Sequence, residues 1–193
     1  MYLFFNVQAI GMPKKWSAPH TDTFNWPRLL AISWRVMDEN RKVTQSEDFI
    51  ISQEGAEIPV QTEQITGISI ERAKEEGKDL KMVLEAFAAA VKDAQYVIAH
   101  NMNYNSNVVG AEMIRKSVSS TLFHSNNYCI MMESTYHCKL PGKQGRYKWP
   151  TMKELYAVLF KEQLPTANRT DVAVETTALC FFKLLDIEAM ELF

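Results

Sequence analysis

Residues 96–116 read YVIAHNMNYNSNVVGAEMIRK, and this stretch decides the fold class. Its first four residues are apolar and include β-branched and aromatic types, which predicts a short buried strand over Tyr96–Ala99. From residue 103 to residue 116 the apolar side chains return at helical spacing, at Val108, Val109, Met113 and Ile114. A strand that leads directly into a helix indicates an α/β arrangement, a sheet with helices packed against it.

Further strands are predicted on the N-terminal side of this unit. The apolar run over residues 2–7 is followed by Gly11 and Pro13, which is typical of a buried strand that ends in a loop. Two more apolar stretches, residues 28–37 and 49–52, flank the turn-like sequence Asp-Glu-Asn at 38–40. Together these segments predict three antiparallel strands in a meander.

Helices are predicted over three other segments. Residues 79–93 place apolar side chains at helical spacing, with Asp79 in position to cap the first turn. Met152–Phe160 and residues 170–185 show the same periodicity, and no internal repeat is present. The length of 193 residues fits one ordinary domain. We therefore expect a single α/β domain over residues 1–193.

The charge and cysteine content restricts the partners and the compartment. With 21 basic and 23 acidic residues the formal net charge is −2, so any contact with nucleic acid requires a local basic patch. Three scattered cysteines without a CxxC spacing predict neither a disulfide framework nor a zinc site. The apolar N-terminus lacks a basic region and meets polar residues too early for a signal peptide or a membrane span. These features predict a cytoplasmic protein.

Five separated segments, in the correct order, resemble the DnaQ-like (DEDDh) 3′–5′ exonucleases of the ribonuclease H-like superfamily. They are FFNVQAIGMPKKW from residue 4, PRLLAISW from 27, ITGIS from 65, HNMNYNSNVVGAE from 100, and YKWPTMKELYAVLF from 147 followed by TANRTDVAVETT from 166. The resemblance spans almost the entire chain. It implies a ribonuclease H-like α/β fold, with a mixed central sheet and helices on both faces.

The resemblance also implies a catalytic centre whose residues are substituted here. The family uses four carboxylates to hold two Mg²⁺ or Mn²⁺ ions about 4 Å apart, with a histidine as general base. At those positions this chain has Asn6, Gln8, Asn105, Asn168 and Ala173. Amides carry no charge to hold Mg²⁺, and asparagine cannot accept a proton from water near neutral pH. We therefore predict no bound metal and no catalytic residues.

Nearby ionisable residues do not replace the missing set. Asp171 and Glu175 lie two residues on either side of Ala173, about 200° away on a helix, which predicts that they face away from it. Glu112 is interpreted as structural or solvated, and His100 as a structural histidine.

Two functions remain open beside a residual exonuclease activity. The first is a nucleic-acid-binding pseudoenzyme that holds a single-stranded end by stacking and phosphate contacts, through Trp16, Trp26, Arg28, Lys148 and Arg169. The second is a protein-interaction scaffold. For these side chains the alternatives are structural, since Trp26 beside Pro27 also suits a packed core and Lys148 a solvated charge. If the resemblance were misleading, the chain would be an ordinary α/β domain with unremarkable amides.

Overall fold

The computed structural model describes residues 1–53, 55, 57–164 and 169–192. In chain order the strands are β1 (Tyr2–Ala9), β2 (Leu29–Met37), β3 (Val43–Ile50), β4 (Tyr96–Ala99) and β5 (Asn126–Cys129). They form one mixed sheet in the order β3-β2-β1-β4-β5. β1, β2 and β3 pair antiparallel, β4 pairs parallel with β1, and β5 pairs parallel with β4. The predicted antiparallel meander is confirmed.

Helices pack on both faces of this sheet. In chain order they are α1 (Val60–Thr66), α2 (Ile70–Glu75), α3 (Leu80–Asp93), α4 (Met102–Arg115), α5 (Ile130–Glu133), α6 (Thr135–Cys138), α7 (Met152–Phe160) and α8 (Thr170–Asp186). The predicted helices at α3, α4, α7 and α8 are confirmed to within one residue at most ends. Within the described ranges, no helix is both long and apolar enough to cross a membrane.

Two hydrophobic cores lie on opposite sides of β1. Leu3 and Phe5 point to the core formed with α3 and α4, whereas Phe4 points to the core formed with α7 and α8. Successive residues of a strand face opposite sides, so a strand that helices cover on both sides is apolar at nearly every position. The run LFF at residues 3–5 therefore reflects burial on both faces.

The prediction for the third strand was wrong in its boundaries. The apolar residues 49–52 were expected to form it, but β3 begins at Val43 and ends at Ile50. β3 is an edge strand that pairs only with β2, and its exposure alternates along its length. Polar residues can occupy the solvent side of an edge strand, which explains why its apolar signal is weak.

The segment ITGIS joins two short helices, α1 and α2. Gly67, with φ of 71°, ends α1, and its backbone N–H donates to the Glu63 carbonyl oxygen. Ser69 then caps α2, because its hydroxyl accepts a hydrogen bond from the Arg72 backbone N–H at 3.1 Å. A left-handed glycine followed by a serine cap turns the chain sharply between the two helices.

Candidate functional site

β1 carries Asn6 and Gln8 to the face of the sheet that α8 covers. Strand alternation places Phe4, Asn6 and Gln8 on one face. Phe4 packs into the core with α8, whereas Asn6 and Gln8 are half-buried and line a cavity of about 260 Å³. Ala173 of α8 lines the same cavity. The structure therefore brings together three positions that the sequence selected.

The described wall of this cavity is mostly apolar and carries two positive charges. Lys153 of α7 and Arg169, which precedes α8, line it together with Asn6, Gln8 and Ala173. Its other described lining residues are apolar or carry a hydroxyl group: Ile65, Met152, Leu164, Val172 and Thr176. The described wall thus contains two cations and no carboxylate, which favours an anionic ligand. The predicted position Asn168 lies outside the described residues.

The Asn105 side chain is buried and bonded to backbone groups, whereas Asn6 and Gln8 line the cavity. Asn105 is 2% exposed. Its Oδ1 accepts a hydrogen bond from the Val7 backbone N–H at 2.8 Å. Its Nδ2 donates to the carbonyl oxygens of His100 and Asn101, at 2.9 and 3.0 Å. Every strong hydrogen-bonding site of this amide except one lone pair is therefore used by backbone groups.

The position of Asn105 follows from the end of the pairing between β1 and β4. The parallel register runs from Tyr2 opposite Tyr96 to Phe4 opposite Ile98, and β1 continues beyond it. The Val7 N–H would lack a strand partner there, and Asn105 supplies one. Asn105 does not belong to the described wall of the cavity. Its side chain instead holds the backbone of Val7, the residue between Asn6 and Gln8.

These side chains do not fit the two-metal centre that the resemblance implies. Two amides and a methyl group face the cavity, and the third amide is engaged with backbone groups. Mg²⁺ sheds its water reluctantly and depends on anionic oxygens. Among the described residues, no three histidine, cysteine or carboxylate side chains are grouped as metal ligands would be.

A second cavity, of about 350 Å³, adjoins the first and shares Gln8 and Arg169 with it. Asp171 lines this second cavity, beside the basic residues Arg72 and Lys78. Asp171 is not among the described residues that line the cavity with Ala173, so the two side chains lie in different cavities. Glu175 lies elsewhere, with an oxygen 3.6 Å from a nitrogen of Arg35.

Asp171 is paired with Arg169 across the start of α8. The Arg169 Nε donates to Asp171 Oδ1 at 3.0 Å. Burial raises the pKa of Asp171, but the hydrogen bonds from Arg169 and from the Val172 backbone outweigh it, so the pKa is lowered overall. The carboxylate is thus ionised near neutral pH, and it offsets part of the charge that Arg169 brings to the cavity.

Glu112 and His100 are structural, as the sequence indicated. Glu112 is fully buried and its Oε1 accepts hydrogen bonds from Arg28 Nε at 2.7 Å and from the Leu29 N–H at 3.0 Å. A solvated Glu112 is therefore excluded. His100 Nε2 donates to the Pro150 carbonyl oxygen at 3.0 Å, and burial lowers the pKa of its ring. This neutral histidine joins the start of α4 to the segment before α7.

Of the two predicted stacking residues, only Trp16 is available. Its side chain is half exposed, and its ring lies 5.9 Å from that of Tyr104, on the first turn of α4. Its carbonyl oxygen accepts from Asn103 Nδ2 at 3.2 Å. Trp26 is corrected to a core residue, because it is 2% exposed and its Nε1 donates to the Pro19 carbonyl oxygen. Neither face of the Trp26 ring is free for a base.

The three predicted cations lie in different surroundings. Arg28 is half exposed and is paired with buried Glu112. Lys148 is paired with Glu154 at the start of α7, and this lysine and the Thr151 backbone lower the pKa of Glu154 to about 2. Only Arg169 lines the cavity that contains Asn6 and Gln8. The five predicted contact residues do not form one continuous patch in the described structure.

The sequence interpretation missed three basic residues that line the two cavities. Lys153 is the second residue of α7, and Arg72 and Lys78 lie in and just after α2. Isolated lysines and arginines at helix ends have no distinctive spacing. Their only signal was their closeness to two segments of the resemblance, ITGIS and KWPTMKEL.

The fold belongs to a known structural class. No protein-family model matches this chain, and no curated protein matches its sequence. Solved structures of exonuclease I match it over nearly its full length, and they show that the chain has the same ribonuclease H-like α/β fold. The predicted fold class is thereby confirmed.

The matching structures include Escherichia coli exonuclease I. Its complex with a dA16 oligonucleotide matches with a TM-score of 0.73 at 13% identity, covering 96% of this chain and 40% of that one. Another exonuclease I structure gives a TM-score of 0.74 at 12% identity, with the same coverage. Its complex with the SSB C-terminus gives 0.72 at 12% identity, covering 96% and 41%. At such identities the likeness shows the fold alone, and this chain spans about 40% of their length.

Proposed function

We propose that residues 1–193 form a degenerate DnaQ-like exonuclease domain, which holds the end of a single-stranded nucleic acid without cutting it. The observation that carries the proposal is the described wall of the 260 Å³ cavity, which has two cations, two amides and no carboxylate. Cationic and amide N–H groups donate hydrogen bonds to phosphate oxygens. A carboxylate-lined pocket of the same shape would repel a phosphate unless metal ions were bound.

The surroundings of the cavity support a polynucleotide end as the ligand. Trp16 offers a half-exposed ring against Tyr104 of α4, and Tyr104 directly precedes Asn105, which binds the backbone of β1 between Asn6 and Gln8. An exposed aromatic ring near a basic pocket is the usual combination in proteins that bind single strands without reading their sequence. Exonuclease I, which has the same fold, has been solved with dA16 and dT13 oligonucleotides.

The loss of catalysis in this proposal rests on charge. At the described family positions the chain has no negative oxygen to hold a divalent cation, and removing several ligands costs far more than the 10- to 100-fold expected for one supporting group. The proposal also includes a cytoplasmic location, which the free thiols of Cys129, Cys138 and Cys180 support.

The test combines a nuclease assay with a binding assay. The purified chain is incubated with a 5′-labelled dT15 strand in Mg²⁺, in Mn²⁺ and in EDTA, and the products are resolved by length. We expect no shortening, and equal binding by fluorescence anisotropy in all three buffers. The Lys153→Ala/Arg169→Ala variant should bind at least about tenfold more weakly, whereas the exposed pair Lys42→Ala/Lys92→Ala should leave binding unchanged. Metal-dependent shortening that co-purifies with the chain would refute the proposal.

A protein-interaction scaffold is the second candidate. A groove of about 530 Å³ lies beside α8, between Met37, Phe160 and Phe182, with Leu179 exposed at its edge. Exposed apolar surface of this kind is common where proteins bind one another. This candidate would be favoured if the chain does not bind a single strand and if the Lys153→Ala/Arg169→Ala variant behaves in solution as the parent does.

A further inference from the structure

The segment before α7 concentrates positive charge. Residues 134–153 contain five of the chain's basic residues and none of its 23 acidic ones. The basic residues are Lys139, Lys143, Arg146, Lys148 and Lys153. Because the whole chain has a net charge of −2, this segment is a local exception. Phosphate contacts depend on such local patches and not on the net charge.

Part of this segment forms a tight hairpin. Pro141 pairs antiparallel with Tyr147, and the Gly142 N–H donates to the Arg146 carbonyl oxygen at 2.9 Å. A Cβ on Gly142 would lie 2.6 Å from that oxygen, so the close approach requires glycine. Gln144 and Gly145 at the tip have left-handed backbone angles, φ of 55° and 73°. The hairpin therefore has a defined conformation.

Three aromatic rings are exposed on and beside this hairpin. Tyr136 is 77% exposed, Trp149 60% and Tyr147 44%. The rings of Tyr136 and Tyr147 meet edge to face, with centroids 6.1 Å apart. With Arg146 and Met132 they line an open hollow of about 550 Å³. We call Tyr136, Arg146, Tyr147 and Trp149 the aromatic hairpin surface.

The cations around this surface are largely available. Among the described residues, no carboxylate pairs with Lys139, Lys143 or Arg146, while Lys148 is bound to Glu154. Unpaired cations beside exposed rings are the combination that holds single strands, since the rings stack on bases and the cations contact phosphates. A surface for a neutral apolar protein would instead have few charges at its centre.

We propose that the aromatic hairpin surface binds a single-stranded polynucleotide. It is separate from the cavity between β1 and α8, because none of its four residues lines that cavity. The two are close, since Trp149 precedes the cavity residue Met152 by three positions and consecutive Cα atoms are about 3.8 Å apart. The inference rests on the proposed function for the kind of ligand, and it extends the path of the strand beyond the cavity.

The first test removes two rings. Fluorescein-labelled dT15 is titrated with the chain and with the Tyr147→Ala/Trp149→Ala variant at 50 mM salt, with polyglutamate as an anionic probe that cannot stack. The variant should bind dT15 about tenfold or more weakly, because stacking on each ring contributes strongly to single-strand affinity. An rU15 strand should behave like dT15, since neither contact reads the 2′-hydroxyl group. The Phe24→Ala variant removes a ring that is 87% exposed elsewhere, and should bind as the parent does.

The second test removes charge, and it still tests the inference if the variant without the two rings does not fold. The Lys143→Gln/Arg146→Gln variant keeps every ring, and the slope of log Kd against log salt should fall by about 0.7 for each lost phosphate contact, about 1.4 in total. Lys42→Gln/Lys92→Gln is the matched control. A 4-thiothymidine-containing strand should also form ultraviolet crosslinks to peptides within residues 134–153 of the unmodified chain.

The outcomes separate this inference from the proposed function. If Lys153→Ala/Arg169→Ala weakens binding and both hairpin variants bind normally, the proposed function holds and the inference is wrong. If only the hairpin variants weaken binding, the inference holds and the cavity is not the site. Equal binding of polyglutamate and dT15, with no effect of ring removal, would show an unspecific anion surface and overturn the inference.

Discussion

An asparagine and an aspartate have the same shape, but at position 105 they are not equivalent. The Nδ2 of Asn105 donates to two carbonyl oxygens, and only its Oδ1 accepts. A carboxylate would keep the bond from the Val7 N–H and would place its second oxygen against the His100 and Asn101 carbonyl oxygens. The amide therefore suits its present neighbours, and aspartate, the residue that the resembled exonucleases have at this position, is unfavourable here.

Asn105→Asp should lower the free energy of unfolding by about 2–4 kcal/mol at pH 7. The cause is a buried charge facing two carbonyl oxygens, of which that of His100 loses the side-chain donor and that of Asn101 keeps only the Asn105 backbone N–H. The loss should be smaller near pH 4, because a protonated carboxyl group recovers one donor. Urea denaturation at both pH values measures it. The exposed Asn40→Asp change adds the same charge and should cost less than about 0.5 kcal/mol. Equal stability of Asn105→Asp and Asn40→Asp would contradict the assigned hydrogen bonds.

At the scale of the element, the predictable features were those with strong local periodicity. β4 and α7 have the predicted bounds, and α3 begins after the predicted Asp79 cap. β5, which reads Asn-Asn-Tyr-Cys, was not predicted, because its residues have little strand preference and its pairing with β4 is a long-range contact. In the site, strand alternation puts Asn6 and Gln8 on one face, and both line the cavity. The burial of Trp26 depends on how a long loop folds back, which no local pattern specifies.

Gly110 of helix α4 packs against the contact between His20 and Phe123, which holds the loop between β1 and β2. The His20 ring stacks on Phe123 with centroids 3.7 Å apart. A Cβ on Gly110 would lie 2.6 Å from the Phe123 ring and 3.0 Å from His20 Cβ. Gly110→Ala should therefore destabilise the protein by about 1–3 kcal/mol, although alanine favours a helix by about 1 kcal/mol.

The control for this prediction is the double variant Gly110→Ala/Phe123→Ala. Removing the ring frees the space that the added methyl group needs, so the double variant should be less destabilised than the two single losses summed. Thermal unfolding of the four proteins gives the comparison. Additive losses would show that Gly110 and Phe123 are not in contact.

The junction between α4 and α7 predicts a dependence of stability on pH. Burial lowers the pKa of His100, and burial also lowers that of His20. A group whose pKa is lower in the folded state binds fewer protons there than in the unfolded chain. The stability from this source is complete above the unfolded pKa of about 6.5 and is lost as the pH falls through the folded values. Stability should thus decrease from pH 7 to pH 5.

His100→Gln should make that decrease shallower. Glutamine retains an N–H donor for the Pro150 carbonyl oxygen and does not titrate. Glu154 does not interfere, because its pKa is lowered to about 2 and its contribution is lost only at more acidic pH. Urea denaturation at pH 7, 6 and 5 checks the prediction. An identical pH profile in the parent and in His100→Gln would show that this histidine does not titrate in the interval.

At the scale of the whole molecule, the candidate site exists because distant segments converge on one end of β1. The strand supplies Asn6 and Gln8, α8 supplies Ala173, and the residues before α8 and at the start of α7 supply Arg169 and Lys153. Asn105 fixes the backbone of the strand at Val7, between Asn6 and Gln8. This convergence can be tested by placing carboxylates at Asn6, Gln8 and Ala173 and measuring whether they bind a metal ion together.

The last prediction concerns the triple variant Asn6→Asp/Gln8→Glu/Ala173→Asp, which leaves Asn105 in place. The three carboxylates repel each other and outnumber Lys153 and Arg169, the two cations of the described wall, so without metal the variant should be less stable than the parent at neutral pH. Mn²⁺ at 100 times its Kd should return about 2.7 kcal/mol, which for a chain of this size is a rise in Tm of about 5–10 °C. The parent and the exposed control Asn40→Asp/Gln61→Glu/Ala157→Asp should show almost no rise. A folded triple variant whose Tm is no more sensitive to Mn²⁺ than that of the control would mean that these side chains do not face one another, and it would contradict the proposed correspondence between this cavity and the metal centre of the resembled exonucleases.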